Sequence, residues 1–355
     1  MKFGRTLQEL ALEIQRQDRA KKDYLVSTEA MHMADSGNAF DVDSLSAAFG
    51  VNDIAHTQIG QYLEIPARYY DRMRTESPAL LAQNVNHWLG TREPERRMLR
   101  TLDGNLRAFL SDRYRRIDNV QIVQTTLPII GHMDGAKVES CEITETKMYI
   151  KVVNPRLQEE VRVGDVVQSG IIISNSEVGR GSVNVSPLIY RLACSNGMIA
   201  QDSQVRKYHI GRANDMDYDM SIYRDETLEA DDHAFLLKVR DAVNAAFDHA
   251  MFARLVQQMR DAAEARIEPI AVPKVVELTS KQFGITSWEN DGVLGHLIDG
   301  GDLTLYGVAN AVTRYAQDID SYDRSTELES TGYRILSMPA SQWRSIASEA
   351  RKDSL

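Results

Sequence analysis

The sequence predicts an α+β protein with a mostly antiparallel sheet, an N-terminal helical layer and a C-terminal helical region. Three observations lead to this class. Apolar residues recur at helical spacing towards both ends of the chain, and strand-like alternation fills its middle. The strand-like segments are joined by short turns rather than by the long crossovers of a parallel sheet. We therefore divide the chain into a helical layer over 1–90, a β-rich core over 91–214 and an acidic helical region over 215–355.

Composition excludes several classes of protein. With 355 residues, 43% of them hydrophobic and 26% charged, the chain can bury a core and is not globally disordered. No apolar run approaches the roughly 20 residues of a membrane span, and Met1–Arg5 leads into a charged amphipathic helix, so we expect a cytoplasmic protein. Cys141 and Cys194 predict buried reduced thiols rather than a disulfide framework. A net charge of −10 argues against a generic DNA-coating protein, because phosphate neutralisation dominates nucleic-acid affinity.

The N-terminal layer is expected to be largely helical. Its predicted elements are a helix, a short strand and further helices, over Thr6–Asp23, Leu25–Met33, Asp41–Gly50, Thr57–Met73 (broken at Pro66) and Pro78–Leu89. Gln58–Tyr70 superficially resembles a helix-turn-helix. Its apolar residues suffice to pack a small helical layer, however, and no basic recognition face follows, so packing is the stronger interpretation.

The β-rich core begins with the strongest local signal in the sequence. An Asp103-Gly104 turn between apolar segments predicts a hairpin from Met98–Thr101 and Leu106–Leu110. A helix is expected over Val120–Ile130. Further strands are predicted over Lys137–Ile143, Thr146–Val153, Val161–Val167, Gly170–Ser174 and Val183–Cys194.

The C-terminal region turns acidic and helical. Leu228–Arg266 predicts one long helix or a tight helical pair. Further helices are expected over Lys274–Phe283, Asn290–Leu297, Leu303–Ile319 and Ala340–Ala350. The acidic spacing of Asp215–Glu226 partly matches a calcium-binding loop, but Met220 stands where that loop needs glycine, so an acidic linker is the stronger interpretation.

A dense group of arginines predicts an anion-binding surface around the first hairpin. Guanidinium groups bind phosphates bidentately, and an interleaved tyrosine can stack on a base. The alternative is that Glu93, Glu95, Asp103 and Asp112 pair with these arginines on a solvated face. The residues predicted to bind nucleic acid are Arg97, Arg100, Arg107, Arg113, Tyr114, Arg115, Arg116 and Arg180.

Arg180 belongs to a second feature, in which Gly179 and Gly181 flank it at the tip of a predicted turn. Glycines let a backbone approach an anion closely, although a plain hairpin turn explains the pattern equally well. The lysine and the spacing of a phosphate-binding loop are missing, so nucleotide hydrolysis is not predicted. The histidines are scattered and no nucleophile motif is present, so we expect no enzyme, no metal site and no cofactor.

Three segments together resemble a known family in their order and spacing. They are Leu63–Tyr70, Phe109–Arg116 and Ser174–Gly197, and His209 and Asn310–Tyr315 fit the same pattern. The family is the phage- and plasmid-like group catalogued as domain of unknown function 932. The resemblance implies carriage on mobile elements and offers no established catalytic residues. A remoter likeness is to the single-strand annealing proteins of phage recombination, which assemble into rings or filaments around DNA.

Two functions are expected from these features. In the first, a homo-oligomer binds or anneals single-stranded DNA in recombination or replication, with Arg113, Arg115 and Arg116 on phosphates, Tyr114 on a base and Arg180 bracing the groove. In the alternative, the protein modulates a host or mobile-element partner, which docks on the acidic helical region. An unrecognised hydrolase is a third and weaker alternative.

Overall fold

The computed structural model describes residues 1–114, 116–200, 225–245 and 248–353. Two sheets and the helices around them confirm the α+β class. The helices are α1 (Leu7–Ala20), α2 (Asp53–Tyr62), α3 (Ala67–Glu76), α4 (Pro78–Thr91), α5 (Asn119–His132), α6 (Asp225–Ala245), α7 (His249–Glu264), α8 (Val272–Phe283), α9 (Ser287–Gly300), α10 (Leu305–Tyr315), α11 (Tyr322–Leu336) and α12 (Ala340–Asp353). The strands are β1 (Lys22–Ser27), β2 (Met31–Met33), β3 (Ala39–Val42), β4 (Ala47–Val51), β5 (Arg96–Leu102), β6 (Asn105–Ser111), β7 (Lys137–Ile143), β8 (Met148–Arg162), β9 (Asp165–Asn175), β10 (Asn184–Arg191) and β11 (Asn196–Ile199).

The first sheet has six strands in the order β1-β5-β6-β4-β3-β2. Its one parallel pair is β4 with β6, and its other pairs are antiparallel. The predicted β5–β6 hairpin is confirmed. Asp103 and Gly104 both have positive φ, at 52° and 80°, as the favoured two-residue hairpin turn requires. Because β1 pairs with β5 and β4 pairs with β6, hydrogen bonds of the sheet cross the predicted boundary between residues 90 and 91.

The helix predicted over Asp41–Gly50 is wrong, because the segment contributes to β3 and β4. A short 3₁₀ turn and Ser46, whose φ is 49°, reverse the chain between the two strands. Phe40 pairs directly with Phe49, and both side chains are buried on the core face. In a strand, residues two apart lie on the same face. A short apolar segment can fit this spacing as readily as helical spacing.

The second sheet is an antiparallel meander in the order β11-β10-β9-β8-β7. Most of the strands predicted here are confirmed. The separate strand predicted over Val161–Val167 is wrong, because Arg162 pairs with Asp165 across a turn in which Gly164 has a φ of 82°. The apolar segment on either side of that turn belongs to β8 and β9.

Helices cover both faces of the five-stranded sheet. Ile171 and Ile173 in β9 pack with α1, α5 and α6 on one face. Ile172 points to the opposite face and packs with Tyr322 at the start of α11. A strand that is buried on both faces has a nearly continuous apolar sequence, as β9 does.

Where it is described, the C-terminal region is helical, as predicted, and Leu228–Arg266 covers α7 and all but the first three residues of α6. Sequence analysis missed α11. Polar residues, among them Ser325, Thr326 and Glu329, interrupt the apolar stripe on its buried face. Ser321 caps its first turn by accepting a hydrogen bond from the Arg324 backbone N–H.

A buried ion pair joins α11 to the second sheet. Lys151 Nζ in β8 lies 2.6 Å from Glu329 Oε2, and both side chains are fully buried. The Lys151 ammonium also lies 4.7 Å from the ring centroid of Tyr322. Burial lowers the pKa of Lys151, although the carboxylate opposes this effect. The pair holds α11 against the sheet, because separating its members would leave a charge without a partner in the core.

The two cysteines are free thiols. The prediction of burial is confirmed for Cys141, whose pKa burial raises to about 11. It is wrong for Cys194, which is half-buried. Within the described part of the chain, no helix combines the length and apolar character that crossing a membrane requires.

Candidate nucleic-acid interface

Two loops that sequence analysis singled out lie against each other. The first, described at residues 112–114 and 116–118, lies between β6 and α5, and the second, residues 176–183, leads from β9 to β10. Tyr114 Oη donates a hydrogen bond to the Ser176 carbonyl at 3.0 Å. Asn175 Nδ2 donates one to the Ile117 carbonyl at 3.0 Å. We call these two segments the paired loops.

Arg100 lies beneath the paired loops and is fully buried. Its guanidinium donates to Asp23 Oδ1 at 2.8 Å, to Asp118 Oδ1 at 2.6 Å and to the Glu177 carbonyl at 2.9 Å. Burial alone would lower the pKa of Arg100, but its bonds to the two carboxylates raise it. Burial raises the pKa of Asp118, but the charges and hydrogen bonds of Arg100 and Lys21 together outweigh burial, so the pKa of Asp118 is lowered. Arg100 and Asp118 therefore both stay ionised, and Arg100 is not available to a phosphate.

Arg107 is the second buried arginine, and it pairs with Glu177 at 2.6 Å. The other carboxylate oxygen of Glu177 accepts a hydrogen bond from the Asn119 backbone N–H at 2.6 Å, at the first turn of α5. Asn119 Oδ1 accepts one from Asn175 Nδ2 at 2.9 Å. One buried carboxylate thus connects the hairpin, the second loop and α5, and Arg107 supports the loops instead of facing solvent.

Two more predicted contact residues are largely committed to internal packing. The Arg97 guanidinium lies over the rings of Tyr62 and Phe109, 4.5 and 4.9 Å from their centroids, and pairs with Glu95 at 3.2 Å. The Tyr114 ring packs against a small cluster that includes Leu110, and its hydroxyl is bonded to the second loop. The prediction that Tyr114 stacks on a base does not fit this packing.

Three of the four remaining predicted cations lie at the surface of the paired loops. Arg113 and Arg180 are exposed and pair with no carboxylate in the described ranges. The Arg116 side chain is 58% exposed, and its ion pair with Asp23 is long, at 3.9 Å. Arg115 lies outside the described residues. We call Arg113, Arg116 and Arg180 the arginine rim.

Sequence analysis missed Lys147, which extends the cationic surface. Its aliphatic end lies against Gly181, where a Cβ would meet Lys147 Cε at 3.1 Å. Lys147 reaches the loop because β8 begins at Met148, which pairs with Asn175 at the end of β9. Only the register of these two strands brings it there, and no local motif marks that register.

The carboxylates that neutralise the buried arginines differ from those considered in the sequence. Glu95 does pair with Arg97, but Asp103 pairs with Arg16 of α1 at 2.8 Å. The buried partners are Asp23, Asp118 and Glu177. Of the pairs in that alternative, only Glu95 with Arg97 is present among the described residues, whereas Arg100 and Arg107 pair in the interior and not on a solvated face.

The comparison with known families agrees with the resemblance noted in the sequence. The profile described as "Domain of unknown function (DUF932)" matches residues 108–338, about two thirds of the chain. The chain belongs to the DUF932 family. No curated protein and no solved structure matches it.

The DUF932 match contains the paired loops and the arginine rim but not all of their support. It begins within β6, so Arg100, Arg107 and Asp23 lie outside it. It includes Asp118 and Glu177, the carboxylates that bind these arginines from the other side. The rim of this DUF932 protein is thus held partly by residues that precede the matched region.

Other sequence predictions lie partly or wholly outside the described ranges. His209 and residues 215–224 of the calcium-like segment fall there, and their structure is not tested. Among described residues, no group of three or more His, Cys, Asp or Glu side chains is arranged to hold a metal ion.

Proposed function

We propose that the protein binds single-stranded nucleic acid at the arginine rim and acts as an oligomer in recombination or replication. The supporting observation is that three exposed guanidinium groups stand on loops held from beneath by buried ion pairs. Guanidinium groups match phosphate geometry, and loops that are already ordered lose little entropy when they bind. The proposal is one of binding rather than catalysis.

Two kinds of arginine have different roles in this proposal. Arg113, Arg116 and Arg180 contact the phosphates, whereas Arg100 and Arg107 hold the loops in place. Phosphate attraction therefore comes from a local surface on a chain whose net charge is −10. Binding should accordingly depend strongly on salt.

The test is the triple variant Arg113→Ala, Arg116→Ala, Arg180→Ala. Fluorescence anisotropy with a labelled 30-nucleotide strand should show affinity reduced by at least about tenfold near 100 mM salt. The slope of log affinity against log salt should become shallower by about 2, because each single-strand phosphate contact contributes roughly 0.7.

A matched control removes three exposed cations from the C-terminal helices, through Lys238→Ala, Arg254→Ala and Arg344→Ala. It changes the net charge equally but leaves the paired loops intact. Equal loss in the two triple variants would point to net charge rather than to the rim. Unchanged binding in the rim variant would eliminate the proposed site.

A specific observation also favours the alternative function, in which a protein partner docks on the C-terminal helices. Trp288 at the start of α9 is 87% exposed, and Ile270 and Ile298 in the same region are 59% exposed. Exposed tryptophans are often the energetic anchors of protein interfaces. Affinity capture from nuclease-treated host lysate should retain a partner with the wild-type protein and lose it with Trp288→Ala. Identical capture by both proteins would exclude Trp288 as the anchor.

A further inference from the structure

α2 and α3 have the parts of a helix-turn-helix. They are joined by the four-residue turn Leu63–Pro66, in which Glu64 takes the left-handed conformation with a φ of 58°. The Ile65 N–H donates to the Gly60 carbonyl at 2.9 Å, which closes the end of α2 over the turn. A turn of three to four residues between two short helices is typical of this DNA-binding unit.

The two helices cross closely. A Cβ on Gly60 would lie 2.9 Å from the Tyr70 ring, so only glycine lets α3 approach to this distance. His56 Nδ1 in α2 shares a hydrogen bond of 2.9 Å with Tyr70 Oη in α3. Tyr70 and Met73 are buried beneath α3. One face of α3 is thus fixed against the protein, and its other face points outward.

α2 is in turn fixed to the first sheet and to the paired loops. Gln58 Nε2 donates to the Val178 carbonyl at 2.8 Å, and Gln58 Oε1 accepts from the Phe109 backbone N–H at 2.8 Å. A helix that presents side chains to a partner positions them best when its support is rigid. These bonds supply that support for the pair.

The outward face of α3 carries two arginines in its first two turns, beside the exposed carboxylate of Asp71. Arg68 and Tyr69 are exposed there, and Arg72 lies one turn after Arg68 on the same face. Arg68 pairs with no carboxylate in the described ranges. Arg72 pairs with Glu76 at 2.8 Å, but the two side chains are 69% and 63% exposed. Exposed pairs of this kind are weak, so a phosphate or a base edge can replace Glu76.

We propose that α2 and α3 form a helix-turn-helix that binds duplex DNA, with Arg68, Tyr69 and Arg72 in the major groove. The first turns of the second helix are the part of this motif that meets base edges. Arginine binds the guanine edge bidentately, and positive charge complements the phosphates of both strands. The site is separate from the arginine rim and does not rest on the function proposed above.

The experiment measures binding of the full chain to a labelled pool of random 30-base-pair duplexes and to a labelled 30-nucleotide strand. The variant Arg68→Ala, Arg72→Ala should bind duplex at least about tenfold more weakly, with a salt slope shallower by about 1.8. Its single-strand affinity should change by less than about twofold. Arg254→Ala, Arg344→Ala is the control with the same charge loss, and should bind duplex as the wild type does.

The result that overturns the proposal is duplex affinity unchanged in Arg68→Ala, Arg72→Ala, or a wild-type protein that fails to bind duplex at all. If duplex binding is lost only in the rim variant, α3 is likewise rejected as the duplex-binding helix, and the duplex is assigned to the paired loops. If the rim variant loses single-strand binding but keeps duplex binding, the two sites bind independently, and either proposal can fail without the other. Because both arginines are exposed, circular dichroism should show that the α3 variant keeps the wild-type fold.

Discussion

Replacing Arg100 with methionine should destabilise the protein by about 3 kcal/mol or more without removing a nucleic-acid contact. The guanidinium is fully buried and bonded to Asp23, Asp118 and the Glu177 carbonyl. Methionine fills much of the volume but leaves two neighbouring carboxylates without this cation. Removing one partner of a buried ion pair costs about 3–5 kcal/mol. The lower end applies because Lys21 stays 2.7 Å from Asp118.

Urea unfolding at pH 7, followed by circular dichroism, measures this cost. Arg100→Lys provides an intermediate case, since it keeps the charge but cannot reach both carboxylates and the carbonyl in the same fork geometry. Its loss should be smaller than that of methionine. Oligonucleotide affinity is then measured at temperatures where both variants remain folded.

Two results would refute this reasoning. An unfolding free energy for Arg100→Met within about 1 kcal/mol of the wild type would show that the buried network contributes little. A folded Arg100→Met protein that loses oligonucleotide affinity as severely as the rim variant would show that Arg100 meets the ligand after all.

Two further predictions concern helix packing and acid stability. Gly60→Ala should lower the free energy of unfolding by about 1–3 kcal/mol because its Cβ would meet the Tyr70 ring, whereas Gly90→Ala, with open space around it, should not destabilise the protein. Thermal unfolding compares the two variants, and equal midpoints would contradict the close crossing of α2 and α3. Hydrogen bonds from Arg324 lower the pKa of Glu289 to about 2, so this pair stabilises the fold above about pH 4.5 and the stabilisation is lost as pH falls towards 2. Glu289→Gln should lower the free energy of unfolding by about 1–2 kcal/mol at pH 7 and make it depend less on pH in the acid range. Curves of unfolding free energy against pH that run parallel for the two proteins would contradict this.

Local signals in the sequence predict local structure well. The Asp103-Gly104 turn predicted its hairpin because two positive φ values leave few residue choices. Where the signal is a short apolar pattern, as at Asp41–Gly50, helix and strand are both compatible with it. Polar residues interrupt the apolar pattern on the buried face of α11, and Lys151, the partner of Glu329, lies 178 residues away in sequence.

The arginine cluster shows why the site itself was harder to predict. Arg100 is 77 residues from Asp23, and Arg107 is 70 residues from Glu177, so neither pairing leaves a local trace. Charge density pointed to the segments that carry the exposed arginines. It did not distinguish arginines that hold the loops from those that face solvent, because burial depends on the register of strands distant in sequence.

The position at which the DUF932 match begins has a practical consequence for dissecting the protein. A fragment trimmed to 108–338 would cut β6 after its third residue and discard β5, its antiparallel neighbour. Such a fragment would carry an unsatisfied strand edge and two acidic groups stripped of their counterions, both of which promote aggregation or misfolding. The stretch shared within the family is therefore shorter than the smallest piece that should fold by itself, and expression trials should keep everything from α1 onward.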